Sequence, residues 1–548
     1  MAASTTLVAP QQKSCCNSEE MLREQYLHVH QAALSPHLTS SNAPQRMAAR
    51  ANLRLRLWVC FGLIVLKNYS LIVTVSADSI CLLDRGIAML GPRQEAQAAL
   101  FYEFSLEDHV PQNHLLRSID RFVDLSSIRA HLAEFYSHTG RPSIDPELMI
   151  RMLLVGYCSG IRSERRLCEE VHLNLAYRWF CRLDLSDRIP DHSTFSKNRH
   201  GRFRESDLLR HVFEATVARC MKEGLVGGQG FAIDASLISA DVQKQNSSNP
   251  DDWAARMTDP DDAPRAVREY LDTLDDEAFG AATTTKPKFT AHADPASQWT
   301  AARKGPAFFA YSTNYLIDTD HSIIVDVDAS RSNRTAEVGA MRKMIDRTEE
   351  CFGLKPDWIA ADTAYGSSDN LVWLTTKRKI LPFIPVFDKG ERTDGTYSRS
   401  DFTWDDENDR YICPGGKEMK HTRRTYSDPA RNAPEWKARK YRALKSDCID
   451  CPLKAKCCPK TEARAIHREK YEIVREFARQ CTASDFNQTA QNRRKKVEML
   501  FAHLKRILGL ARLRLRGPYG VQDEFTLAAI AQNLRKLAKL KPLVPAKG

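Results

Sequence analysis

The sequence predicts an α/β protein (an α+β chain with a mixed sheet) that has a helical region before the sheet and a small cysteine-rich insertion within it. Two short apolar runs, 230–233 and 358–361, each lead into an aspartate and have the length and boundaries of buried strands. Apolar residues at helical spacing predict helices between 104 and 204 and again near the C-terminus. Cysteines cluster between residues 413 and 458.

A chain of 548 residues is too long for one compact core, so we expect several domains. We divide it into an extension at 1–88, a helical domain at 89–222, a first part of the core at 223–390 with a polar insertion at 242–306, a cysteine-rich insertion at 391–484, and a second part of the core at 485–548.

Residues 1–88 differ from the rest of the chain, and we interpret them as a disordered or non-native extension that ends before Met89. The alternative is a membrane anchor, since Leu57–Leu66 and Leu71–Val75 are strongly apolar. Lys67 interrupts that stretch, whereas a membrane span needs about 20 mainly apolar residues. We therefore expect no membrane partner. Without a secretory signal, and with only 15 cysteines, the chain is expected to be cytoplasmic and reduced.

The helical domain is predicted as a succession of short helices with tight connections. Asp145, Pro146 and Glu147 form a typical helix start. The succession resembles a helix-turn-helix module, and its last helix carries Lys197 and Arg199, which suit contacts with phosphates and bases. The alternative is a generic helical bundle with a basic surface.

The core is predicted as strand, hairpin, helix and strand, followed by helices near the C-terminus. After the strand that begins at residue 230, the insertion is predicted to be irregular with one helix near 263–276. The further elements are a hairpin of 307–317 and 322–328, a helix at 335–350, strands at 358–362 and 380–386, and a closing helix at 524–540.

Three carboxylates stand out. An aspartate at a strand end, as predicted for Asp234 and Asp362, is costly to bury without a partner such as a metal ion. Glu498 is the sole acid of the basic, amphipathic segment 493–506. Three carboxylates are suited to Mg²⁺, which prefers oxygen ligands. Each also has an ordinary alternative: the aspartates could cap helices, and Glu498 could pair with Arg494 on a surface helix.

The order Asp234, Asp362, Glu498 resembles the DDE triad of bacterial insertion-sequence transposases, which have an RNase H-like catalytic core. The segments 233–236 and 361–366 also look like strand motifs of that family. Three motifs in the right order make the resemblance specific, and it extends from about Met89 to the C-terminus.

The surroundings of the glutamate add to the resemblance. The family has a tyrosine, two residues, an arginine, three residues, the glutamate, six residues and a lysine. Arg494, Glu498 and Lys505 fit this spacing, whereas Gln491 stands at the tyrosine position. The resemblance implies that Arg494 and Lys505 contact DNA phosphates near the cleaved bond.

The resemblance implies two Mg²⁺ or Mn²⁺ ions about 3.5–4 Å apart. Asp234 would bridge both ions, and Asp362 and Glu498 would each hold one. The implied partners are inverted-repeat DNA ends and target DNA, and the working unit is a homodimer in the bacterial cytoplasm, associated with the nucleoid. Asp241 is interpreted as a structural or supporting residue and not as a ligand.

The formal net charge of +11 suits a polyanionic partner. Basic residues crowd the segment 493–516 beside Glu498. A basic run is usually a solvated face, but its position here favours DNA.

The cysteine cluster predicts a structural zinc site formed by Cys413, Cys448, Cys451 and Cys457, because thiolates two residues apart can bind one tetrahedral ion. Cys458 could replace Cys457. The alternative is a loop with reduced, metal-free cysteines.

The leading hypothesis is thus a transposase that cleaves DNA and transfers strands. A nuclease of the same fold without strand transfer is one alternative. The other is a transposase-derived DNA-binding protein that no longer cuts.

Overall fold

The structure is a computed structural model that describes residues 104–137, 139, 143–256, 262–279, 286–301, 305–387, 392, 394–421 and 438–542. The predictions for residues 1–88, including the membrane-anchor alternative and the start at Met89, lie outside these described residues. Ser105–Gly548 forms one compact unit. Within the described residues, no helix combines the length and apolar character that crossing a membrane requires.

The helical region begins the described chain, as the sequence predicts. Asp145 starts its longest apolar helix by accepting a hydrogen bond from the Glu147 N–H, and Pro146 takes the first helical position. Gly160 ends that helix in the left-handed conformation. The helices are α1 Leu106–His109, α2 Leu115–Asp120, α3 Ile128–Leu132, α4 Pro146–Ser159, α5 Glu164–Leu173, α6 Leu175–Phe180, α7 His192–His200, α8 Arg202–Glu205 and α9 Leu208–Lys222.

The centre of the molecule is a six-stranded mixed sheet, which confirms the predicted α/β class. The strands of this part of the chain are β1 Gly230–Ser239, β2 Ser247–Ser248, β3 Thr290–Ala291, β4 Gln298–Ala301, β5 Ala307–Asp318, β6 Ile324–Arg331, β7 Trp358–Ala360 and β8 Leu381–Phe383. The order across the sheet is β6, β5, β1, β7, β8, and β4 pairs with the first residues of β5. β5 is antiparallel to β1 and β6, whereas β1, β7 and β8 are parallel.

The remaining elements are the helices α10 Pro250–Arg256, α11 Arg265–Asp272, α12 Arg334–Phe352, α13 Ser368–Val372, α14 Lys445–Ile449, α15 Lys454–Cys457, α16 Glu472–Ala483, α17 Phe486–Arg506 and α18 Pro518–Leu540, and the strands β9 Thr403–Asp405, β10 Arg410–Ile412, β11 Glu418–His421, β12 Ala438–Ala443 and β13 Ala465–Glu469. The predicted hairpin, the helix after it and the closing helix are confirmed, with ends that differ by a few residues.

Helices cover both faces of the main sheet. Tyr315, which pairs with Asp234 across β5 and β1, stacks on Phe501 of α17 at 4.9 Å between ring centres. Side chains alternate between the faces of a strand, so Ser312 points to the opposite face. There its hydroxyl donates to Glu337 of α12 at 2.8 Å. The face that carries Asp234 therefore lies against α17.

α18 runs through the core. Most of its side chains from Val521 to Leu537 are buried, because the helix packs between β6 and the helices α4 and α9. Its buried residues are mainly apolar, and Glu524, Gln532 and Asn533 are buried among them. It joins the helical region firmly to the sheet.

The cysteine-rich segment contains its own antiparallel sheet, in the order β13, β12, β11, β10, β9. Tyr411, Met419, Tyr441 and Ile466 are among the buried residues of its separate small core. The sequence analysis did not predict this sheet.

The prediction of an irregular 242–306 segment with a single helix is wrong. The structure has α10 and α11 there, the pair β2 and β3, and β4 at the edge of β5. β4 is held by Trp299, which packs against Phe309 and Phe289 with ring centres 5.0 Å and 5.4 Å away. Phe289 precedes Trp299 in the chain, and Phe309 lies on the neighbouring strand β5. The polar composition of the segment does not reveal these aromatic contacts.

Candidate functional site

Asp234 lies in the middle of β1, not at its end. β1 pairs with β7 only as far as Ala232, but its pairing with β5 continues to Ser239. The predicted strand-end position is therefore wrong for Asp234, because β1 continues to pair with β5 after its pairing with β7 has ended. Where β7 stops, one side of β1 is open, and the Asp234 side chain remains 19 % exposed.

The register of the sheet brings the second aspartate to this opening. Gly230 pairs with Trp358 and Ala232 with Ala360. The same register, continued by two residues, sets Asp234 opposite Asp362. Neighbouring strands are about 4.8 Å apart, so two carboxylates at matched positions meet at one edge.

Asp362 also acts as a helix cap. Its Oδ1 accepts a hydrogen bond of 2.8 Å from the Ala364 N–H, at the start of a 3₁₀ turn over Thr363–Tyr365. The capping alternative is therefore present in the structure. It uses one oxygen of an exposed carboxylate and leaves Oδ2 for a further ligand.

Arg494 links Glu498 to Asp234. Arg494 Nη1 lies 3.2 Å from Asp234 Oδ2, and Nη2 lies 3.4 Å from Glu498 Oε1. The surface ion pair between Arg494 and Glu498 is thus present, but the same guanidinium also holds a strand residue. The charges of Asp362 and Glu498 both act on Asp234, so the three predicted acids lie near one another at the open edge of the sheet.

The electrostatics reflect this crowding. Burial raises the pKa of Asp234 to about 6; the Ala235 N–H and Arg494 oppose the shift, and the charges of Asp362 and Glu498 add to it. Three carboxylates with one arginine between them carry excess negative charge. This excess charge would favour a divalent cation, but no three His, Cys, Asp or Glu side chains of the described residues are arranged to hold one.

A fourth carboxylate, Glu337, belongs to the same environment and escaped the sequence analysis. Burial raises its pKa to about 7, the hydrogen bond from Ser312 opposes this, and the charges of Asp362 and Asp234 add to it. An acid in the first turn of a helix is ordinary. In the sequence, Glu337 therefore could not be distinguished from an acid that stabilises the start of a helix.

Tyr365 is the second missed residue, although it lies in the motif around Asp362. It is buried, and its hydroxyl has no hydrogen-bond partner among the described residues. Burial raises its pKa, as do the charges of Glu337, Asp234 and Asp362. The hydroxyl thus adds a polar group beside the carboxylates.

Gln491 and Lys505 flank the site on α17. Gln491 Oε1 accepts from Arg494 Nε at 3.2 Å, and its amide donates to the Phe383 carbonyl at 3.1 Å. Gln491 therefore orients Arg494 from the position where the family has tyrosine. Lys505 Nζ donates to Ser236 Oγ at 2.8 Å, two residues along β1 from Asp234.

Part of the basic segment is engaged within the protein. Arg493 pairs with Asp320 at 3.0 Å, and Lys496 donates to the Thr319 carbonyl at 2.5 Å. These contacts attach α17 to the turn between β5 and β6. Arg493 and Lys496 are therefore engaged within the protein, whereas Lys495 is exposed.

Asp241 pairs with Arg512 and Arg516 at 3.1 Å and 3.0 Å. These two ion pairs tie the segment after α17 to the chain beyond β1. The contacts agree with its interpretation as a structural residue.

The two basic residues predicted on α7 differ in their surroundings. Lys197 is exposed. Arg199 is only 4 % exposed and forms an ion pair with Glu164. Arg199 is therefore not exposed on the surface of α7, in contrast to Lys197.

The structure gathers the cysteines around one cavity. Cys413, Cys448, Cys451, Cys457 and Cys458 all line it. The side chain of Cys458 interacts with those of Cys448 and Cys457, and burial raises the pKa of Cys457 to about 11. No group of three or more His, Cys, Asp or Glu side chains within the described residues already has an arrangement that could hold a metal ion.

Two families match the chain. The family described as "Transposase domain (DUF772)" matches residues 104–201, which cover most of the helical region. The family described as "Transposase DDE domain" matches residues 412–538, which include the cysteine cluster and Glu498. The matches confirm the resemblance to insertion-sequence DDE transposases. The aspartates at 234 and 362 lie outside both matched ranges.

Among solved structures, the chain is similar to piggyBac transposase in a cryo-EM structure of its synaptic complex with hairpin DNA. The identity is 10 %, the TM-score is 0.32, and the likeness covers 78 % of this chain and 75 % of that one. At that TM-score the likeness carries no argument about the fold or the site. No curated protein matches the chain.

Proposed function

We propose that the chain is a transposase that cleaves DNA at the ends of an insertion sequence and joins those ends to target DNA. The observation that carries the proposal is the proximity of Asp362 and Glu498 to Asp234 at one open edge of the sheet, with Arg494 between Asp234 and Glu498. The family matches support the same class of reaction.

The sheet supports an RNase H-like core. A strand borders an antiparallel hairpin on one side and two parallel strands on the other, in the order β6, β5, β1, β7, β8. This is the order expected from the resemblance, with the first aspartate on the first strand.

The donor set fits divalent cations. The charges of Asp362 and Glu498 raise the pKa of Asp234, and a bound cation would reverse that repulsion. Asp234 would be shared by two Mg²⁺ or Mn²⁺ ions, and Asp362 and Glu498 would each help to hold one of them. Two such ions, when bound, lower the pKa of an attacking water or 3′-hydroxyl and stabilise the leaving oxygen.

The cationic side chains would orient the DNA. A guanidinium has five N–H donors, and the three contacts of Arg494 to Gln491, Asp234 and Glu498 leave donors for a phosphate oxygen. Lys505, held near Ser236, would contact the next part of the same strand. Exposed Lys197 is proposed as a DNA contact of the helix-turn-helix-like region.

The assembly and location follow from the proposed reaction. A transposase has to hold two element ends and a target, so we propose a homodimer that works on DNA in the bacterial cytoplasm, associated with the nucleoid. The net charge of +11 supports a DNA partner.

We also propose a structural zinc ion in the cysteine-rich segment. An added Cβ at Gly415 would lie 3.6 Å from Cys413 Sγ and 3.9 Å from Cys451 Sγ, so these two sulfurs flank one point of the cavity. Cys448 and Cys457 line the same cavity and would complete four ligands, with Cys458 as the alternative to Cys457. The ion would stiffen the small sheet.

The test is cleavage of labelled DNA that carries the flanking inverted repeat, with Mg²⁺ and the full chain. We expect Glu498→Gln to lose cutting but to retain DNA binding. Met499→Gln is the matched control, because Met499 is adjacent on α17 and 71 % exposed. Equal cutting by Glu498→Gln and the control would refute the site.

The products separate the alternatives. Cut ends that join a target plasmid support a transposase. Cutting without joining would identify a nuclease of the same fold, and repeat binding without cutting by the unmodified chain would identify a transposase-derived DNA-binding protein.

A further inference from the structure

A second cavity lies between the helical region and the segment that follows α17. Its volume is about 410 Å³, and α5, α7 and the start of α18 contribute to its walls. Arg162, Arg165, Arg199 and Arg514 line it, together with Glu164 and Glu524. Four arginines face two glutamates there, so the lining has an excess of two positive charges, leaving His192 aside.

Two of these arginines are built into the protein. Arg162 has a side chain only 6 % exposed, stacks on Tyr157 at 4.2 Å and pairs with Glu524. Arg199 has a side chain only 5 % exposed and pairs with Glu164. Burying a guanidinium is costly, so buried arginines are normally fully hydrogen-bonded.

Their hydrogen bonding is incomplete. Within the described residues, Arg162 Nε and Nη1 and Arg199 Nε have no acceptor. Glu524 has no oxygen to spare, because Oε1 accepts from the backbone N–H groups of Arg514 and Leu515 while Oε2 binds Arg162. Buried N–H donors beside a cavity indicate that an acceptor from outside the chain belongs there.

The mouth of the cavity is also cationic. In the described part of the chain, the side chains of Arg165 and Arg514 form no hydrogen bond or ion pair. α5 begins at Glu164, so the positive end of its dipole faces the same cavity. Planar guanidinium groups suit the oxygens of a phosphate.

The chain after α17 connects the cavity to the strand of the candidate active site. Arg512 forms a parallel β-bridge with Ser239 at the end of β1, and Arg514 of the cavity follows two residues later. Asp234 is five residues back along β1, which is about 16 Å from Ser239 at 3.3 Å per residue.

We infer that this cavity binds a phosphate group, and that in the working protein it holds the DNA backbone at a distance from the cleaved bond. The DNA source of the phosphate rests on the proposed function, whereas the phosphate chemistry of the cavity does not. Such a contact would link the helical region to the catalytic edge and fix the distance between the bound DNA and the cut.

The first test measures binding of labelled duplex DNA from the element end, by fluorescence anisotropy at several salt concentrations without divalent cations. Arg165→Ala is compared with Arg166→Ala, because Arg166 is the next residue of α5 and pairs with Glu170 on its exposed side. Loss of one phosphate contact lowers the slope of log K against log salt by about 0.9. We expect that loss, with binding about tenfold weaker, for Arg165→Ala only. Equal slopes for both variants would overturn the DNA assignment.

The second test uses inorganic phosphate as the probe. We expect phosphate to raise the melting temperature of the full chain above the effect of chloride at equal ionic strength, and Arg165→Ala with Arg514→Ala to abolish that rise. A phosphate effect without DNA binding would support the cavity but refute the proposed function. DNA cleavage without any phosphate effect or slope change would refute the cavity and leave the proposed function standing.

Discussion

Replacement of Asp234 by asparagine is expected to stabilise the protein when magnesium and manganese are absent. Asp234 has a pKa of about 6, raised from the ordinary 3.8 mainly because it is buried. At pH 7.5 the folded chain must therefore carry a carboxylate that its environment disfavours. One pKa unit corresponds to about 1.36 kcal/mol, so the penalty is about 3 kcal/mol. Asparagine has nearly the same shape and no charge.

The pH dependence gives the sign of the effect. A pKa that is raised on folding contributes stability below pH 3.8, and that contribution is lost as the pH rises through about 6. Asp234→Asn should therefore match the unmodified protein near pH 3.8 and exceed it by about 2–3 kcal/mol at pH 7.5. The assay is urea unfolding in magnesium-free buffer at several pH values.

Asp241→Asn is the matched control. It makes the same chemical change just beyond β1, but Asp241 pairs with two arginines, so its loss should be neutral or destabilising by up to about 1 kcal/mol. Saturating Mg²⁺ should stabilise only the chain that retains Asp234, by about 2.7 kcal/mol at 100 times the dissociation constant. An Asp234→Asn protein that is equally stable or less stable at pH 7.5 would refute the electrostatic reasoning.

Three further predictions concern activity and metal content. Glu337→Gln should raise the Mg²⁺ concentration needed for half-maximal cleavage by about tenfold, since one negative charge leaves the cluster; an unchanged requirement would remove Glu337 from the site. The cleavage rate should fall about tenfold per pH unit below about pH 6, as Asp234 gains a proton; a rate that is flat from pH 7 to pH 5 would contradict that pKa. Cys451→Ser should lower both the zinc content measured by mass spectrometry and the melting temperature, whereas Cys481→Ser, on α16, should leave the zinc content unchanged; zinc-free unmodified protein would refute the zinc proposal.

The sequence was sufficient to single out the three acids and to predict an α/β protein with a mixed sheet. An acid beside a short apolar run is conspicuous, because burial of a charge requires a reason. The helix of Glu498 was equally visible from its apolar stripe. The register that aligns Asp234 with Asp362 is a property of strand pairing, and only the structure contains it.

Other parts depend on contacts between distant residues. Arg199 looked exposed because its helix is polar, but its partner Glu164 lies 35 residues earlier. Glu337 reaches the site only because α12 packs under β5. The small sheet of the cysteine-rich segment has strands of three to six residues, too short for a clear alternation.

The most direct test of the central claim is a titration of the full chain with Mn²⁺, followed by electron paramagnetic resonance, with and without Asp362→Asn. Asp362 is exposed, so its replacement should leave the fold intact, as circular dichroism would verify. We expect the unmodified chain to bind Mn²⁺ and the variant to bind it at least about tenfold more weakly. Equal binding by both proteins would contradict a shared metal site of Asp234, Asp362 and Glu498.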